Sequence, residues 1–496
     1  MMYINCKNSG VLLMNGIVSV IAVSLLAIGV NCSAGANEDQ PPNIILILAD
    51  DQGWTGSSVL MDARVPKSKS DLYQTPSLER LAGEGMLFSN AYAPAPNCSP
   101  TRMSIQTGKT AVRLGATDIV DVVPDETGKA TYQSFYERFY LNKPLLVQLP
   151  IRELPDAEVT IAELLKQQKP QYVTAHFGKW HMNGGSPGRH GYDEHNGPTA
   201  NAEGKAGEPD PKLTGEITRQ SLDFMQRQVK EQRPFFMQVS YYAVHTPVRA
   251  SSETVTRYKA LDSFIHTNND YAAMTEEMDQ SLGEILAYVD ELGISDNTYV
   301  IYTSDNGGEL WATHNAPLAK GKTHLWEGGI RVPLVIRGPG IPAGVQSNVP
   351  AIGYDLLPTI AAWAGTDNDL PDNIDGGSLD AILAGDGTGK VERPTEAFFW
   401  YYAGYRNHKH VVPHAAIRKG NYKLIREFDS DRVYLFDLAR DLSETTDMSR
   451  FKPEVTKDLA DELDHYFDKV GIMRPTTNPD YDPDKDQGLI PFVPTG

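Results

Sequence analysis

Polar side chains follow four apolar segments of this sequence, each where the apolar run ends. They are Asp50 and Asp51 in "LADDQGW", Lys179 and His181 in "GKWH", His245 in "YAVHTP", and Asp305 and Asn306 in "SDNGG". Runs such as 44–48 are typical of buried parallel strands, and ligands bind where the carboxyl ends of such strands meet. A lone histidine is more often structural and paired carboxylates often cap helices, but four clusters after four strands predict one shared site.

The members of this set suggest two kinds of binding. Three carboxylates and one amide oxygen form a hard-oxygen ligand set, which suits Ca²⁺ or Mg²⁺. Lys179, Lys322 and Arg102 lie in loops of the same predicted edge and suit a tetrahedral oxyanion such as sulfate or phosphate. The three histidines of "NHKHVVPH", His408, His410 and His414, could suggest zinc, but their uneven spacing without thiolates favours a solvated loop or a substrate rim.

The N-terminal segment has the pattern of a secretion signal. A 20-residue apolar run (11–30) follows Lys7 and precedes the small residues Ala34-Gly35-Ala36, so we predict cleavage after Ala36 and a secreted or periplasmic protein. An uncleaved membrane anchor is the first alternative, because the run could span a bilayer. A lipoprotein anchored at Cys32 is less favoured, because Asn31 before it is large for such a site. No other segment is long and apolar enough to cross a membrane.

Cleavage after Ala36 would remove Cys6 and Cys32 and leave Cys98 as a lone cysteine. A secreted chain with one cysteine forms no internal disulfide, and an exposed free thiol outside the cell is a liability. Cys98 therefore needs a chemical explanation.

Composition excludes some partners. The chain has 496 residues, and 45 Lys plus Arg against 64 Asp plus Glu give a formal charge of −19. An acidic surface argues against a nucleic-acid partner, but it does not forbid an anionic substrate held in a locally basic pocket.

The order of apolar and amphipathic segments predicts an α/β fold with a mainly parallel sheet. A Gly/Asp/Pro-rich stretch between Gly365 and Pro394 reads as a boundary, and short strand-like runs and a helix from about Pro453 to Val470 follow it. We expect a signal peptide (1–36), a catalytic domain (41–370), a C-terminal α+β subdomain (390–475) and an extended tail (476–496).

The segment "CSPTRMSIQTG" identifies a family. Cys98-x-Pro100-x-Arg102 with Thr107-Gly108 resembles the motif of type I, arylsulfatase-like sulfatases, in which the cysteine becomes Cα-formylglycine. "LADDQGW", "GKWH", "VHTP", "SDNGG" and "GKTHLWEGGIRVP" are similar to further sulfatase segments, in the same order, from about residue 43 to residue 359. The resemblance implies an alkaline-phosphatase-like fold, a mainly parallel sheet sandwiched by helices with a smaller C-terminal antiparallel sheet plus helix. It also implies a sulfuric ester hydrolase, bound Ca²⁺ and a formylglycine-generating maturation enzyme.

The resemblance explains Cys98 as a precursor. A hydrated aldehyde has two hydroxyls, so one can attack sulfur and deprotonation of the other can expel sulfate and regenerate the aldehyde. The metal site implied by the resemblance comprises Asp50, Asp51, Cys98, Asp305 and Asn306.

Further roles also come from the resemblance. Arg102 would stabilise the hydrate, and His181 would take the proton of its second hydroxyl. Lys179 and Lys322 would bind sulfate oxygens, and His245 would protonate the leaving oxygen with the help of Lys322.

The loops "RHGYDEHNG", "THLW" and "YAGYRNHKH" predict a substrate rim. Its candidates, besides Lys179, His245 and Lys322, are Arg189, His190, His324, Trp326, Tyr405 and Arg406. Aromatic and polar rims suit a sugar ring, so a sulfated poly- or oligosaccharide is the preferred substrate. Small aryl sulfates, phosphate or phosphonate esters, and a sugar-binding relative without catalysis are the alternatives. The sequon at Asn97 is discounted, because a glycan there would block the pocket.

Overall fold

The computed structural model describes residues 41–119, 123–124, 130–131, 140–201, 208–261, 263–406 and 410–486. The predicted signal peptide, Cys6, Cys32, His408 and the end of the predicted tail lie outside these ranges. In chain order, the strands are β1 (Asn43–Ala49), β2 (Met86–Phe88), β3 (Ala91–Tyr92), β4 (Val123–Pro124), β5 (Ala130–Thr131), β6 (Leu145–Leu146), β7 (Val173–Gly178), β8 (Glu194–His195), β9 (Phe235–Ser240), β10 (Thr298–Ser304), β11 (Leu334–Arg337), β12 (Val345–Ser347), β13 (Ala351–Ile352), β14 (Phe398–Tyr402), β15 (His414–Lys419), β16 (Tyr422–Glu427), β17 (Arg432–Asp437) and β18 (Thr476–Thr477).

The α-helices alternate with these strands over most of the described chain. They are α1 (Pro76–Glu84), α2 (Cys98–Thr107), α3 (Ala111–Leu114), α4 (Ile161–Gln168), α5 (Thr214–Lys230), α6 (Ser252–Tyr258), α7 (Asn269–Glu291), α8 (Glu327–Ile330), α9 (Leu356–Ala364), α10 (Asp380–Leu383) and α11 (Pro453–Val470). None of the helices in the described ranges combines the length and the apolar composition needed to span a bilayer.

The large sheet has eight strands in the order β12-β2-β11-β10-β1-β9-β7-β8. β11 pairs antiparallel with β10 and with β2, and the other neighbouring pairs are parallel. The carboxyl ends of β10, β1, β9 and β7 therefore lie side by side. The predicted α/β architecture with a mainly parallel sheet is confirmed.

Helices cover both faces of this sheet, as the unbroken apolar run of β1 requires. Ile45 and Ile47 face a core shared with α1, α5 and α7, whereas Leu46 and Leu48 face a core shared with α4 and α9. Every residue of β1 is buried, because side chains alternate between two faces that are both covered.

The C-terminal part builds the predicted antiparallel sheet. β14, β15, β16 and β17 pair in chain order, and α11 packs on β15 and β16. Leu459, Leu463 and Phe467 of α11 fill the core between helix and sheet. The described start of the tail is anchored, because β18 pairs with β6 and Lys143 forms an ion pair with Asp486.

Two loops beside the sheet edge pack backbone against backbone. The Gly307 N–H donates to the Gly329 carbonyl over 2.9 Å, and a Cβ added at Gly307 would lie 1.9 Å from the Gly328 oxygen. These loops carry Asn306 and Lys322, so glycine at 307 lets the two predicted site segments approach each other.

We expect Gly307→Ala to force these loops apart and to lower the free energy of unfolding by about 1–3 kcal/mol, the usual cost of overpacking. The matched control is Gly83→Ala, because a Cβ on Gly83 in α1 has no atom within 4 Å and alanine favours helix. Thermal and urea unfolding of both variants check this. Equal midpoints for the two variants would contradict the proposed loop packing.

Candidate active site

The four predicted clusters meet at one edge of the large sheet. Asp50 directly follows β1, Lys179 follows β7 and Asp305 follows β10, while His245 lies in the loop after β9. Because these strands are parallel neighbours, their loops converge. The charged side chains of the first three clusters are fully buried.

Cys98 is the first residue of α2 and lies in the middle of these loops. Its Sγ is 3.5 Å from an Asp50 carboxylate oxygen, 3.5 Å from Lys179 Nζ and 3.6 Å from Lys322 Nζ. The Asp51 carboxylate is 3.9 Å away. All ten residues of α2 are buried, so the helix is a fixed support that holds Cys98 in this position.

Three buried ion pairs surround the thiol. Lys179 Nζ lies 2.6 Å from Asp50, and Lys322 Nζ lies 2.7 Å from Asp51. Arg102, one turn along α2 from Cys98, lies 2.7 Å from Asp305 and also donates to the Lys179 carbonyl over 2.6 Å. Burying a charge is costly unless it is paired and hydrogen-bonded, and here each carboxylate has a cation.

The surroundings shift the protonation of several groups. Burial, reinforced by the Asp305 carboxylate, raises the pKa of the Cys98 thiol well above its usual value. Burial next to Asp50 raises the pKa of Asp305. Burial and the neighbouring Lys322 ammonium hold the pKa of His245 well below its usual value, so its imidazole is neutral at pH 7.

The donor atoms of the site could hold a metal ion. Asp50, Asp51, Cys98 and His245 each offer a ligand atom, and these atoms lie within 4.8 Å of one another. The side-chain oxygen of Asn306 is buried without a hydrogen-bond partner, while its amide donates to Asp51 over 2.8 Å. A buried acceptor left unsatisfied is costly, and a cation would satisfy it.

Two site residues have left-handed backbone. Asp51 has φ of 62° and His181 has φ of 51°, a region that favours glycine. Hydrogen bonds fix both residues, because the Asp51 N–H donates to Asp305 and the His181 N–H donates to the Thr199 carbonyl. Asp51 thereby points its carboxylate at Lys322.

Comparison with known proteins agrees with this arrangement. The sequence profile of the family described as Sulfatase matches residues 42–366, and that described as N-sulphoglucosamine sulphohydrolase, C-terminal, matches residues 320–469. An N-acetylgalactosamine-6-sulfatase of Canis lupus familiaris is 32% identical, covering 77% of this chain and 72% of the relative. The chain belongs to the sulfatase family.

Two further proteins are similar to this sulfatase over most of its length. A protein of Formosa agariphila named Sulfatase is 28% identical over 85% of this chain and 87% of its own length. The crystal structure of Ps i-CgsB in complex with k-i-k-neocarrahexaose matches with a TM-score of 0.70 and 26% identity, covering 86% of this chain and 93% of that chain. The expected alkaline-phosphatase-like architecture and the activity class, sulfuric ester hydrolysis, are thus confirmed.

The predicted rim residues do not all lie at a rim. His324 and Trp326 line a cavity of 330 Å³ formed in part by the loop that carries Lys322. Arg189 is partly exposed but is paired with Asp156 and with the Gly184 carbonyl.

The other three are buried, as His324 is, and their part in substrate binding stays a prediction. His190 is fully buried and stacks on Trp180, with 5.7 Å between ring centroids. The Tyr405 hydroxyl donates to Asp429 over 3.1 Å, and Arg406 lies 2.8 Å from Asp118. Packing against these partners turns the three side chains inward.

The histidines of "NHKHVVPH" show no sign of a zinc site in the described part of the chain. His414 uses both ring nitrogens, because Nδ1 lies 2.7 Å from the Val412 carbonyl and Nε2 accepts the Leu325 N–H over 3.0 Å. Burial lowers the pKa of His414 to about 3, so the ring is neutral and serves as a structural acceptor.

Sequence reasoning missed the residues that hold the site loops in place. Asn315 bonds to the Gly308 backbone in both directions and donates to the Lys320 carbonyl, which links the "SDNGG" and "GKTH" loops. In the sequence, only its position between these two motifs marks Asn315 as part of the site.

A buried acid joins the same loop to the C-terminal sheet. Glu327 lies 2.9 Å from Lys423 of β16 and 2.7 Å from Arg331, and its N–H donates to Glu444 over 2.6 Å. Burial beside Glu327 raises the pKa of Glu444 to about 7. The spacing of Glu327 and Arg331 predicts their helical pair, but no local pattern predicts Lys423.

The buried, high-pKa thiol leads to a labelling prediction. We expect iodoacetamide at pH 8 to alkylate Cys98 in the folded, unmatured protein at least about tenfold more slowly than in the urea-unfolded chain, because only an accessible thiolate reacts quickly. A chain that starts after residue 36 and is expressed without the maturation enzyme has Cys98 as its one cysteine, and mass spectrometry follows the reaction. Equally fast labelling of the folded protein would show that the site is open and the thiol ionised.

Proposed function

We propose that this sulfatase removes sulfate from sulfated poly- or oligosaccharides, using a formylglycine made from Cys98 by a maturation enzyme and a bound Ca²⁺. The observation that supports this most is the position of Cys98. Its sulfur lies within 4 Å of two carboxylates and two lysine ammonium groups, all buried. An ordinary catalytic thiol would be expected to have a lowered pKa, whereas that of Cys98 is raised.

Asp50, Asp51, Asp305 and Asn306 would hold the Ca²⁺ next to Cys98. All four contribute oxygen ligands, the class that Ca²⁺ prefers, and the unsatisfied Asn306 oxygen supports its inclusion. When bound, the ion supplies Lewis-acid polarisation of the sulfate group and of the attacking oxygen.

The cations of the site would receive the sulfate group. Lys179 and Lys322 lie 3.5 and 3.6 Å from the Cys98 sulfur, so oxygens of a sulfate group positioned at this side chain are within their reach. Arg102 is held by Asp305 and would orient the hydrate of the aldehyde. Three buried cations balance three buried carboxylates, so a divalent ion leaves the site positive enough for an anion.

The two histidines would move protons. His245 Nδ1 lies 2.5 Å from the Thr246 carbonyl oxygen, so Nδ1 carries the proton of the neutral ring. The other ring nitrogen, Nε2, faces Asp51. Nε2 would therefore pick up a proton as the anionic ester binds and give it to the leaving oxygen. His181, two residues beyond Lys179, would take the proton of the hydrate's second hydroxyl, which expels sulfate.

The cavity beside Lys322 supports a sugar substrate. Trp326 and Tyr434 offer aromatic faces, and Glu427 and Asp447 offer acceptors for hydroxyl groups, around a volume of 330 Å³. The relatives named for N-acetylgalactosamine 6-sulfate and crystallised with a neocarrahexaose point to the same substrate class.

We also propose secretion through a signal peptide that is cleaved after Ala36. The support is the sequence pattern of residues 7–36. The division into a catalytic domain (41–370) and a C-terminal subdomain (390–475) is likewise our proposal, supported by the two separate sheets.

The choice of ester tests the function. We expect kcat/KM for 4-nitrophenyl sulfate to exceed that for 4-nitrophenyl phosphate. We expect kcat/KM for sulfated oligosaccharides to be higher still, because these substrates also fill the cavity.

The variant Cys98→Ala tests the nucleophile. It should reduce sulfate release by on the order of 10³-fold or more with an unchanged melting temperature. Intact mass of the active protein should show the loss expected for conversion of the thiol to an aldehyde. Faster phosphate hydrolysis would reverse the assignment, and an active protein with an unmodified thiol would refute the nucleophile.

Removal of the metal ion tests the cofactor. Dialysis against a chelator should lower activity by about 100-fold or more, and Ca²⁺ should restore it. Ca²⁺ should also raise the melting temperature of the wild type, because it binds only the folded site, and should raise that of Asn306→Ala less. Restoration by Zn²⁺ but not by Ca²⁺ would refute the hard-cation assignment.

A further inference from the structure

A second cavity, of 270 Å³, lies between the large sheet and the C-terminal sheet. We call it the arginine cavity, after the four arginines that line it: Arg64, Arg331, Arg418 and Arg440. Asp62 is the one carboxylate among the described residues that line it. Four guanidinium groups around one small volume are unusual in a chain with a net charge of −19.

The arginine cavity opens at the same sheet edge as the catalytic site. β2 and β12 run parallel to β1, and the lining residues Asn90 and Asn348 follow the carboxyl ends of β2 and β12. β2 lies three strands from β1, which corresponds to about 14 Å at the usual strand spacing. A sulfated oligosaccharide is long enough to extend from one site to the other, whereas a small aryl sulfate is not.

Two of the four arginines are already neutralised. Arg64 pairs with Asp62 over 2.6 Å, and Arg331 pairs with Glu327 over 2.7 Å. Their guanidinium groups add to the local potential, but carboxylates of the chain already engage them.

Arg418 and Arg440 are different. Arg418 is 5% exposed, donates to Asn90 over 2.7 Å and to the Gly420 carbonyl over 3.3 Å, and has no carboxylate within 4.0 Å in the part of the chain that the structure describes. Arg440 is largely exposed and lies 3.7 Å from Asp437, which is a weak pair in water. The Arg418 guanidinium lies 4.8 Å from the centroid of the Tyr92 ring, and Glu327 interacts with it only at longer range. An anion in the cavity would give Arg418 the direct ion pair that it lacks among the described residues.

We propose that the arginine cavity is an anion subsite that takes a second sulfate group of a sulfated oligosaccharide whose reacting ester lies at Cys98. Planar guanidinium forks match the oxygens of sulfate, and the subsite engages Arg418 and Arg440. This inference rests on the proposed function for its ligand. The lack of a direct ion pair at Arg418 among the described residues supports anion binding independently of that function.

Steady-state kinetics test the subsite. We expect Arg440→Ala and Arg418→Gln each to raise KM for a multiply sulfated hexasaccharide substrate about fivefold or more, with kcat nearly unchanged, because the subsite binds substrate remotely from the reaction. Turnover of 4-nitrophenyl sulfate should not change. The control is Arg474→Ala, which removes an exposed arginine that is paired with Asp468 outside the cavity. Equal effects on both substrates, or none on the hexasaccharide, would overturn the proposal.

A direct measurement separates this proposal from the function. Crystals of Cys98→Ala soaked in sodium selenate should show an anomalous peak beside Arg418, and crystals of Cys98→Ala/Arg418→Gln should lack it. No peak in the first crystals overturns the subsite. A peak together with unchanged hexasaccharide kinetics means an adventitious ion only and also overturns it. Absence of all sulfatase activity would instead refute the proposed function, while the selenate result would still decide whether the cavity binds anions.

Discussion

The site of this sulfatase depends on one constraint, which is that three carboxylates and three cations are buried together around a single side chain. Each pair, Lys179 with Asp50, Lys322 with Asp51 and Arg102 with Asp305, joins different segments of the chain. Removing one partner would leave an uncompensated buried charge, so the loops that carry the pairs cannot move independently. The electrostatic cost of burial thus fixes the geometry in which Cys98 is placed, and the low dielectric strengthens each interaction with a bound anion.

The rest of the fold holds these charged side chains in position. Parallel neighbours β10, β1, β9 and β7 bring four loops to one edge, and buried α2 sets Cys98 and Arg102 one turn apart. Gly307 lets the loop after β10 touch the backbone of Gly328, and Asn315 and Glu327 bind the segments around them to each other and to the C-terminal sheet. The second sheet is therefore linked to the segment that carries Lys322, through the ion pair of Lys423 with Glu327.

The sequence predicted the parts of the molecule in which local pattern and burial coincide. The apolar run of β1 and the amphipathic helices α7 and α11 form where periodicity indicated, because both faces of the sheet are covered. The strand-end clusters converge because neighbouring parallel strands have their carboxyl ends at the same edge of the sheet. The orientation of the rim candidates could not be predicted in the same way. His190 turns inward because it stacks on Trp180, and Arg406 does so because it pairs with Asp118, which is 288 residues away in sequence. Lys423 pairs with Glu327 across 96 residues, a separation that no periodicity encodes.

The charges of this protein act differently on a sulfated substrate at long range and inside the clefts. At long range the net charge of −19 repels a sulfated chain, but salt screens this field within about 8 Å at physiological ionic strength. Inside the clefts screening is weaker, and there Lys179, Lys322 and Arg102 offset three carboxylates at one site, while Arg418 lies at another. Recognition of an anionic polymer by an acidic protein then requires that cations be concentrated in concave places at the sheet edge. At the catalytic site strand ends and loops shield the cations from bulk water, whereas the arginine cavity combines the buried Arg418 with the exposed Arg440.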